Sequence, residues 1–104
     1  MMGKFSRDKG YRVENNLRKQ ILKHEKMECI RVPLSGGASI RGDLIFNKIG
    51  GEKWCAEVKS RADGFKNIYK WKDDHEVLII KADNKKALAI VDLDDLVTLI
   101  EEQK

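Results

Sequence analysis

The chain has 104 residues, 41% hydrophobic and 37% charged, with 21 Lys and Arg against 17 Asp and Glu for a net charge of +4. That length supports one domain with a single modest core, expected to span residues 1–104. No apolar run approaches the ~18 residues of a bilayer span, and Met1-Met2-Gly3-Lys4-Phe5 lacks the apolar stretch of a signal peptide, so an intracellular, non-secreted protein with no membrane partner is expected.

Charge is unevenly placed. Lys4, Arg7, Lys9 and Arg12 crowd the N-terminal segment, and Lys66, Lys70 and Lys72 cluster later, whereas Asp92, Asp94, Asp95, Glu101 and Glu102 gather near the other end. A basic half beside an acidic end fits a polyanion-facing surface, although ordinary solvated charge gives the same composition. Cys29 and Cys55 each fall in a predicted strand among apolar neighbours and are expected to be buried free thiols. Neither CxxC spacing nor a nearby His supplies a zinc site.

Taken in order, Ser6 or Asp8 is placed to cap a helix running to about Lys26, with Val13, Leu17 and Ile21 four apart and Leu22 alongside as its buried stripe. Glu14 borders that stripe, and a carboxylate there needs a cation. Arg18 at i+4 is one partner; the other reading turns Glu14 toward a cavity shared with later carboxylates. Cys29 to Val32 predicts a short strand ended by Pro33, with Arg31 on the face opposite Ile30 and Val32. Ser35-Gly36-Gly37-Ala38-Ser39 reads as a connector, or, beside a phosphodiester site, as a loop offering Ser35 and free N–H groups to a phosphate.

The stretch from Asp43 to Lys59 carries the chemistry. Asp43-Leu44-Ile45-Phe46 and Trp54-Cys55-Ala56-Glu57-Val58-Lys59 flank Gly50-Gly51, a hairpin signal. Alternation sends Glu57 and Lys59 to one side and Ala56 and Val58 to the other. A hairpin that folds Asp43 back near Glu57 brings two carboxylates and an ammonium to one end of a sheet. Close carboxylates repel unless a divalent cation neutralises them, and hard oxygen ligands suit Mg²⁺ or Mn²⁺. The result is a candidate metal-dependent hydrolytic site; the plainer alternative is a cross-strand salt bridge on a solvated face.

Beyond Lys59, Phe65, Ile68, Tyr69 and Lys72 mark a short amphipathic helix within Gly64 to Asp74. Tyr69 and Trp71, among Lys66, Lys70 and Lys72, either stack on unpaired bases or pack into the core. Val77 to Ile80 predicts a strand covered on both faces, and Asp83-Asn84-Lys85-Lys86 turns it into a partner, Ala87 to Val91. Asp92 then caps a helix with Leu93, Leu96, Val97 and Ile100 on its apolar side. His24 and His75 each stand without a partner at ligand spacing. The element order predicts an α/β domain, one central mixed β-sheet flanked by helices.

The series Glu14, Asp43 and Glu57-Val58-Lys59 resembles the PD-(D/E)XK nuclease superfamily and, within it, the archaeal-type Holliday junction resolvases, including phage-borne versions. The resemblance covers roughly the first sixty residues: Lys9-Gly10, Glu14, Arg31, Ser35-Gly36, Asp43 and Glu57-Val58-Lys59-Ser60-Arg61. It implies a restriction-endonuclease-like core. It also implies a Mg²⁺-dependent endonuclease, with Mn²⁺ able to substitute, that hydrolyses phosphodiesters in branched, four-way DNA junctions as a homodimer. By position, it implies Asp43 and Glu57 as metal ligands with the Val58 carbonyl as a third, and Glu14 adding to them directly or through water. Lys59 would orient the attacking water or stabilise phosphate charge, and Arg31 and Ser35 would engage the scissile phosphate. Lys9, Arg12, Arg61 and Lys66 complete the expected DNA contacts. Asp63 to His75 is shorter than the region that builds the symmetric dimer in the family. Two alternatives stand beside this reading: a superfamily nuclease acting on flapped, nicked or duplex DNA, and a non-catalytic nucleic-acid-binding module.

Overall fold

Helix α1 (Gly3–Leu22) lays Leu17 and Ile21 against a three-stranded antiparallel sheet, and the core forms at that contact. The computed structural model describes residues 3–32 and 43–104, with side chains from Gly10 onward. Strands β1 (Met27–Arg31), β2 (Leu44–Lys48) and β3 (Trp54–Ala56) lie in that order, with Cys29 opposite Phe46 and Leu44 opposite Ala56. The period-two alternation puts Met27, Cys29, Leu44 and Phe46 on one face. There they are buried with Ile21 of α1 and with Val97 and Ile100 of helix α3 (Leu93–Glu101). Ile30, pointing the other way, is exposed. Gly50, at φ +82°, and the Gly51 N–H donating to the Lys48 carbonyl at 2.7 Å make the expected turn between β2 and β3.

Between β3 and α3 come helix α2 (Lys66–Lys72) and the antiparallel pair β4 (Leu78–Ile80) and β5 (Leu88–Ile90). The α/β class with flanking helices holds, but the strands form two sheets, of three and two strands, both antiparallel, where one mixed sheet was expected. The reason is local. A turn through Asn84 (φ +60°) lets β4 and β5 satisfy one another's backbone groups directly. The expectation that β4 is covered on both faces fails for the same reason, since a two-stranded ribbon buries at most one face: Ile79 is 65% exposed and Ala89 opposite it is exposed.

Other boundaries shift as well. Helix α1 begins at Gly3, so Ser6 and Asp8 lie inside it, and it stops at Leu22, four residues before Lys26. A turn closed by the Met27 N–H on the His24 carbonyl at 3.0 Å then starts β1 at Met27, whose side chain is buried. Cys29 is buried as expected, and burial pushes its thiol up while Arg18 opposes the shift. Cys55 is exposed, contrary to expectation, because it sits on edge strand β3 facing away from the helices. Tyr69 and Trp71 are 76% and 56% exposed, which rules out core packing for both rings. Asp92 occupies the N-cap position of α3 with extended backbone, yet its carboxylate makes no cap bond and pairs instead with Lys72 Nζ at 3.5 Å, tying α2 to α3.

His24 is not alone either. Its Nε2 lies 3.0 Å from Asp94 Oδ1 and its Nδ1 3.1 Å from Glu101 Oε1, while the Lys26 N–H donates to Glu101 Oε2 at 3.0 Å. The bond to Asp94 does most to raise the imidazole above its ordinary 6.5, burial opposes it, and Glu101 adds to the rise. Asp94 is lowered from 3.8, chiefly by His24, and Glu101 from 4.5, chiefly by the Lys26 N–H. The histidine's contribution is therefore complete below 6.5 and lost as pH rises through the raised value, whereas the carboxylates contribute fully above 3.8 and 4.5 and lose their share on acidification. Thermal melts of His24→Ala should fall furthest below wild type at about pH 5.5, with the gap narrowing at about pH 9.

Candidate active site

Asp43 stands one residue before β2 and is fixed on both sides by its own backbone. Its N–H donates to the Ala56 carbonyl at 2.7 Å, and its carbonyl accepts from the Val32 N–H at 2.9 Å. The Leu44–Ala56 pair and the bond to the Ala56 carbonyl bring Asp43 alongside the start of Glu57-Val58-Lys59. The ladder ends at Ala56, but the Asp43 side chain continues it: Oδ2 accepts from the Val58 N–H at 2.8 Å. The carboxylate thereby grips the middle of Glu57-Val58-Lys59. Val58 turns toward the core, while Glu57 Oε2 and Lys59 Nζ lie 3.2 Å apart, both more than half exposed. An ion pair so open to water is weak and easily exchanged.

Glu14 makes its partnership elsewhere. Arg31, at the end of β1 on the face toward α1, donates from Nε to Glu14 Oε1 at 2.7 Å. Arg18, the expected i+4 partner, instead bonds Asn15 Oδ1 through Nε and Nη2 at 3.2 and 3.0 Å. The Arg31 guanidinium also lies 4.4 Å from the centre of the Tyr11 ring. Glu14 nevertheless lines a cleft of about 270 Å³ with Val58, Lys59, Ser60 and Arg61. Val58 and Lys59 form a wall between that cleft and a larger one of about 1070 Å³, which Glu57 borders beneath α2.

Of the other expected site residues, Arg12, Arg61 and Lys66 have exposed side chains, and Arg61 Nη1 donates to the neighbouring Ser60 carbonyl at 2.8 Å. Ser35, with the Ser35–Ser39 loop, lies outside the described residues, as does the side chain of Lys9. Among the described residues no three His, Cys, Asp or Glu side chains gather around one point that could hold a metal ion. Glu14, Asp43 and Glu57 thus do not form a closed triad. Their chemistry still suits a hard cation, because magnesium retains waters and needs only one or two carboxylates. A main-chain carbonyl and solvent could supply the other oxygens.

Residues 5–102 match the family model described as "Archaeal holliday junction resolvase (hjc)". The chain belongs to the archaeal Holliday junction resolvase family. The resolvase match runs from α1 through the hairpin that bears Asp43 and Glu57 and on through α2, the β4–β5 pair and α3, well past the stretch in which the motif series lies. The family has a restriction-endonuclease-like fold and consists of DNA-binding nucleases of recombination and repair that act on junctions, generally with a metal. No curated protein and no solved structure matches the chain. No helix among the described residues is long and apolar enough to cross a membrane.

Two groups in this candidate site escaped the sequence reading. The Val58 N–H carries no residue-type signature, so only the register reveals it. Tyr11 had a signal, its spacing of three from Glu14 on one helix face, that went unused. The Asp43–Val58 bond gives the site a structural test. Asp43→Ala should lower unfolding free energy by about 1–2 kcal/mol by leaving the Val58 N–H without its acceptor, while Asp43→Asn, which keeps an acceptor oxygen, should lose less than half of that in denaturant titrations.

Proposed function

We propose that the chain is a Mg²⁺-dependent, structure-selective DNA endonuclease that resolves four-way junctions by phosphodiester hydrolysis, with Mn²⁺ able to substitute. The observation that carries this reading is the Asp43 carboxylate bound to the backbone of Glu57-Val58-Lys59, within a chain whose family match spans residues 5–102. Asp43, Glu57 and the Val58 carbonyl would hold the ion, with Glu14 adding to them directly or through water. Bound Mg²⁺ would supply charge neutralisation on the phosphate, a more acidic water and stabilisation of the leaving oxygen.

The chain's own residues do the rest. Asp43, locked by three hydrogen bonds, keeps the segment from Glu57 to Lys59 in one conformation. Lys59, tethered two residues from Glu57, can donate to the attacking water and to charge growing on the phosphate. Arg31 and Lys59 offset repulsion among the acidic groups. Arg12, Arg61 and Lys66, with Lys9 and Ser35, would track the DNA backbone, a contribution that weakens as salt rises. Cutting two strands of a junction needs two such sites, so the resolvase would act as a homodimer.

A labelled synthetic four-way junction tests the reading. Asp43→Asn and Glu57→Gln should bind it as wild type does, while cleavage falls on the order of a hundredfold or more. Wild-type cleavage by either variant with Mg²⁺ supplied would remove the assignment. Equal cutting of linear duplex and junction would leave a nuclease without junction selectivity, and the absence of Asp43-dependent Mg²⁺ or Mn²⁺ binding in calorimetry would leave a DNA-binding module.

A further inference from the structure

We infer that Tyr11 is a positioning residue of this site: its ring steadies the Arg31 guanidinium, which in turn keeps the Glu14 carboxylate at the cleft beside Lys59. The inference rests on the proposed nuclease function and assigns a role to a residue outside the motif series.

The geometry comes from one helix face meeting one strand end. Tyr11 and Glu14 are three apart in α1, so their side chains leave the same side of the helix one turn apart. Arg31 closes β1 on the face toward that helix, opposite Leu44. Its guanidinium meets both: Nε donates to Glu14 Oε1 at 2.7 Å, and its central carbon lies 4.4 Å from the centre of the Tyr11 ring. The ion pair is largely screened from water, with 24% of the Arg31 side chain and 15% of the Glu14 side chain exposed.

The ring matters because of the freedom an arginine otherwise has. One Nε–H bond to one carboxylate oxygen fixes a distance but leaves the guanidinium plane able to rotate about it. A π-face against the cation removes that rotation and is attractive in its own right. With the plane fixed, Glu14 is fixed too, because it moves with its partner. Glu14 lines the same small cleft as Val58, Lys59 and Arg61, so a swing of Arg31 would carry the carboxylate away from them. The terminal nitrogens of Arg31 are not needed for the Glu14 bond, and a steady plane presents them in one direction, as contact with a phosphate requires. Tyr11 itself is 52% exposed, so its replacement removes little core packing and the variants should fold.

The experiment compares Tyr11→Phe, Tyr11→Leu and Tyr11→Ala on the four-way junction under single-turnover, Mg²⁺-saturated conditions, with Asp43→Asn as the inactive control. Cation–π contact needs a ring and not a hydroxyl. Tyr11→Phe should therefore cut within about twofold of wild type, whereas Tyr11→Leu and Tyr11→Ala should both lose about fivefold or more. In an Arg31→Ala background the further change Tyr11→Ala should add nothing, since the ring acts through Arg31. A second readout needs no activity: the Arg31 Nε–H resonance should carry a ring-current shift in wild type and Tyr11→Phe that vanishes in Tyr11→Leu and Tyr11→Ala.

Full activity in Tyr11→Leu, or an additive loss on top of Arg31→Ala, would overturn the proposal, the first pointing to bulk alone and the second to a direct contact with DNA. Loss of the ring-current shift without loss of cleavage would overturn it too. A wild-type chain that cuts no junction would bring down the nuclease reading and the positioning role together. That outcome is told apart from the others because the ring-current signature would remain.

Discussion

A single hydrogen bond, from the Val58 N–H to Asp43 Oδ2, decides whether the chain after β3 is part of the sheet or a loose tail. The backbone ladder between β2 and β3 stops at Ala56, and three residues of β3 cannot by themselves hold Glu57, Val58 and Lys59 in place. The side-chain carboxylate takes over where the main chain leaves off, and Val58 packs against the core behind it. Glu57 and Lys59 are consequently held side by side on a segment that would otherwise be free to turn. The same bond decides which oxygen of Asp43 faces the protein. If Asp43 holds a metal as proposed, one oxygen is engaged by the Val58 N–H and the other is the one left for the ion.

Around that point the core is small and one-sided. Ile21, Met27, Cys29, Leu44, Phe46, Val97 and Ile100 are buried between one sheet face and the helices α1 and α3, with no buried polar or charged residue among them. The opposite face shows Ile30 and Cys55 to solvent. Helix α2 and the β4–β5 pair lean over the large cleft, joined to the remainder in part by Lys72 and Asp92. Ion pairs that span long sequence distances tie one element to the next: Glu14 of α1 with Arg31 of β1, His24 after α1 with Asp94 and Glu101 of α3, and Lys72 of α2 with Asp92 before α3. Apolar burial chooses the layers, and these pairs pin the elements to one another.

Much of this was legible in the residues alone, and the parts that were not share a cause. The stripe of Leu17 and Ile21, the Gly50-Gly51 turn and the apolar side of α3 are set by periodicity and turn chemistry, which act within a few residues. The return of Asp43 toward Glu57 was also readable, because a tight hairpin leaves few registers. What failed needs knowledge of which element lies beyond. Cys55 and Ile79 look like interior residues until β3 proves to be an edge and β4 half of a two-stranded ribbon. Arg31, not Arg18, claims Glu14, since a strand end seventeen positions away in sequence comes within hydrogen-bond reach of its carboxylate. His24 looked isolated because both of its carboxylate neighbours arrive from α3, more than seventy positions further along the chain for Glu101 and seventy for Asp94.

The exposure of Cys55 has a practical side. Its sulfur sits two positions ahead of Glu57 on an uncovered edge, while Cys29 is enclosed and its thiol is pushed toward the less reactive, protonated form. A fluorophore or spin label directed at sulfhydryls will therefore attach beside the Glu57–Lys59 pair without any residue being replaced. The unaltered chain carries its own reporter of events at that edge.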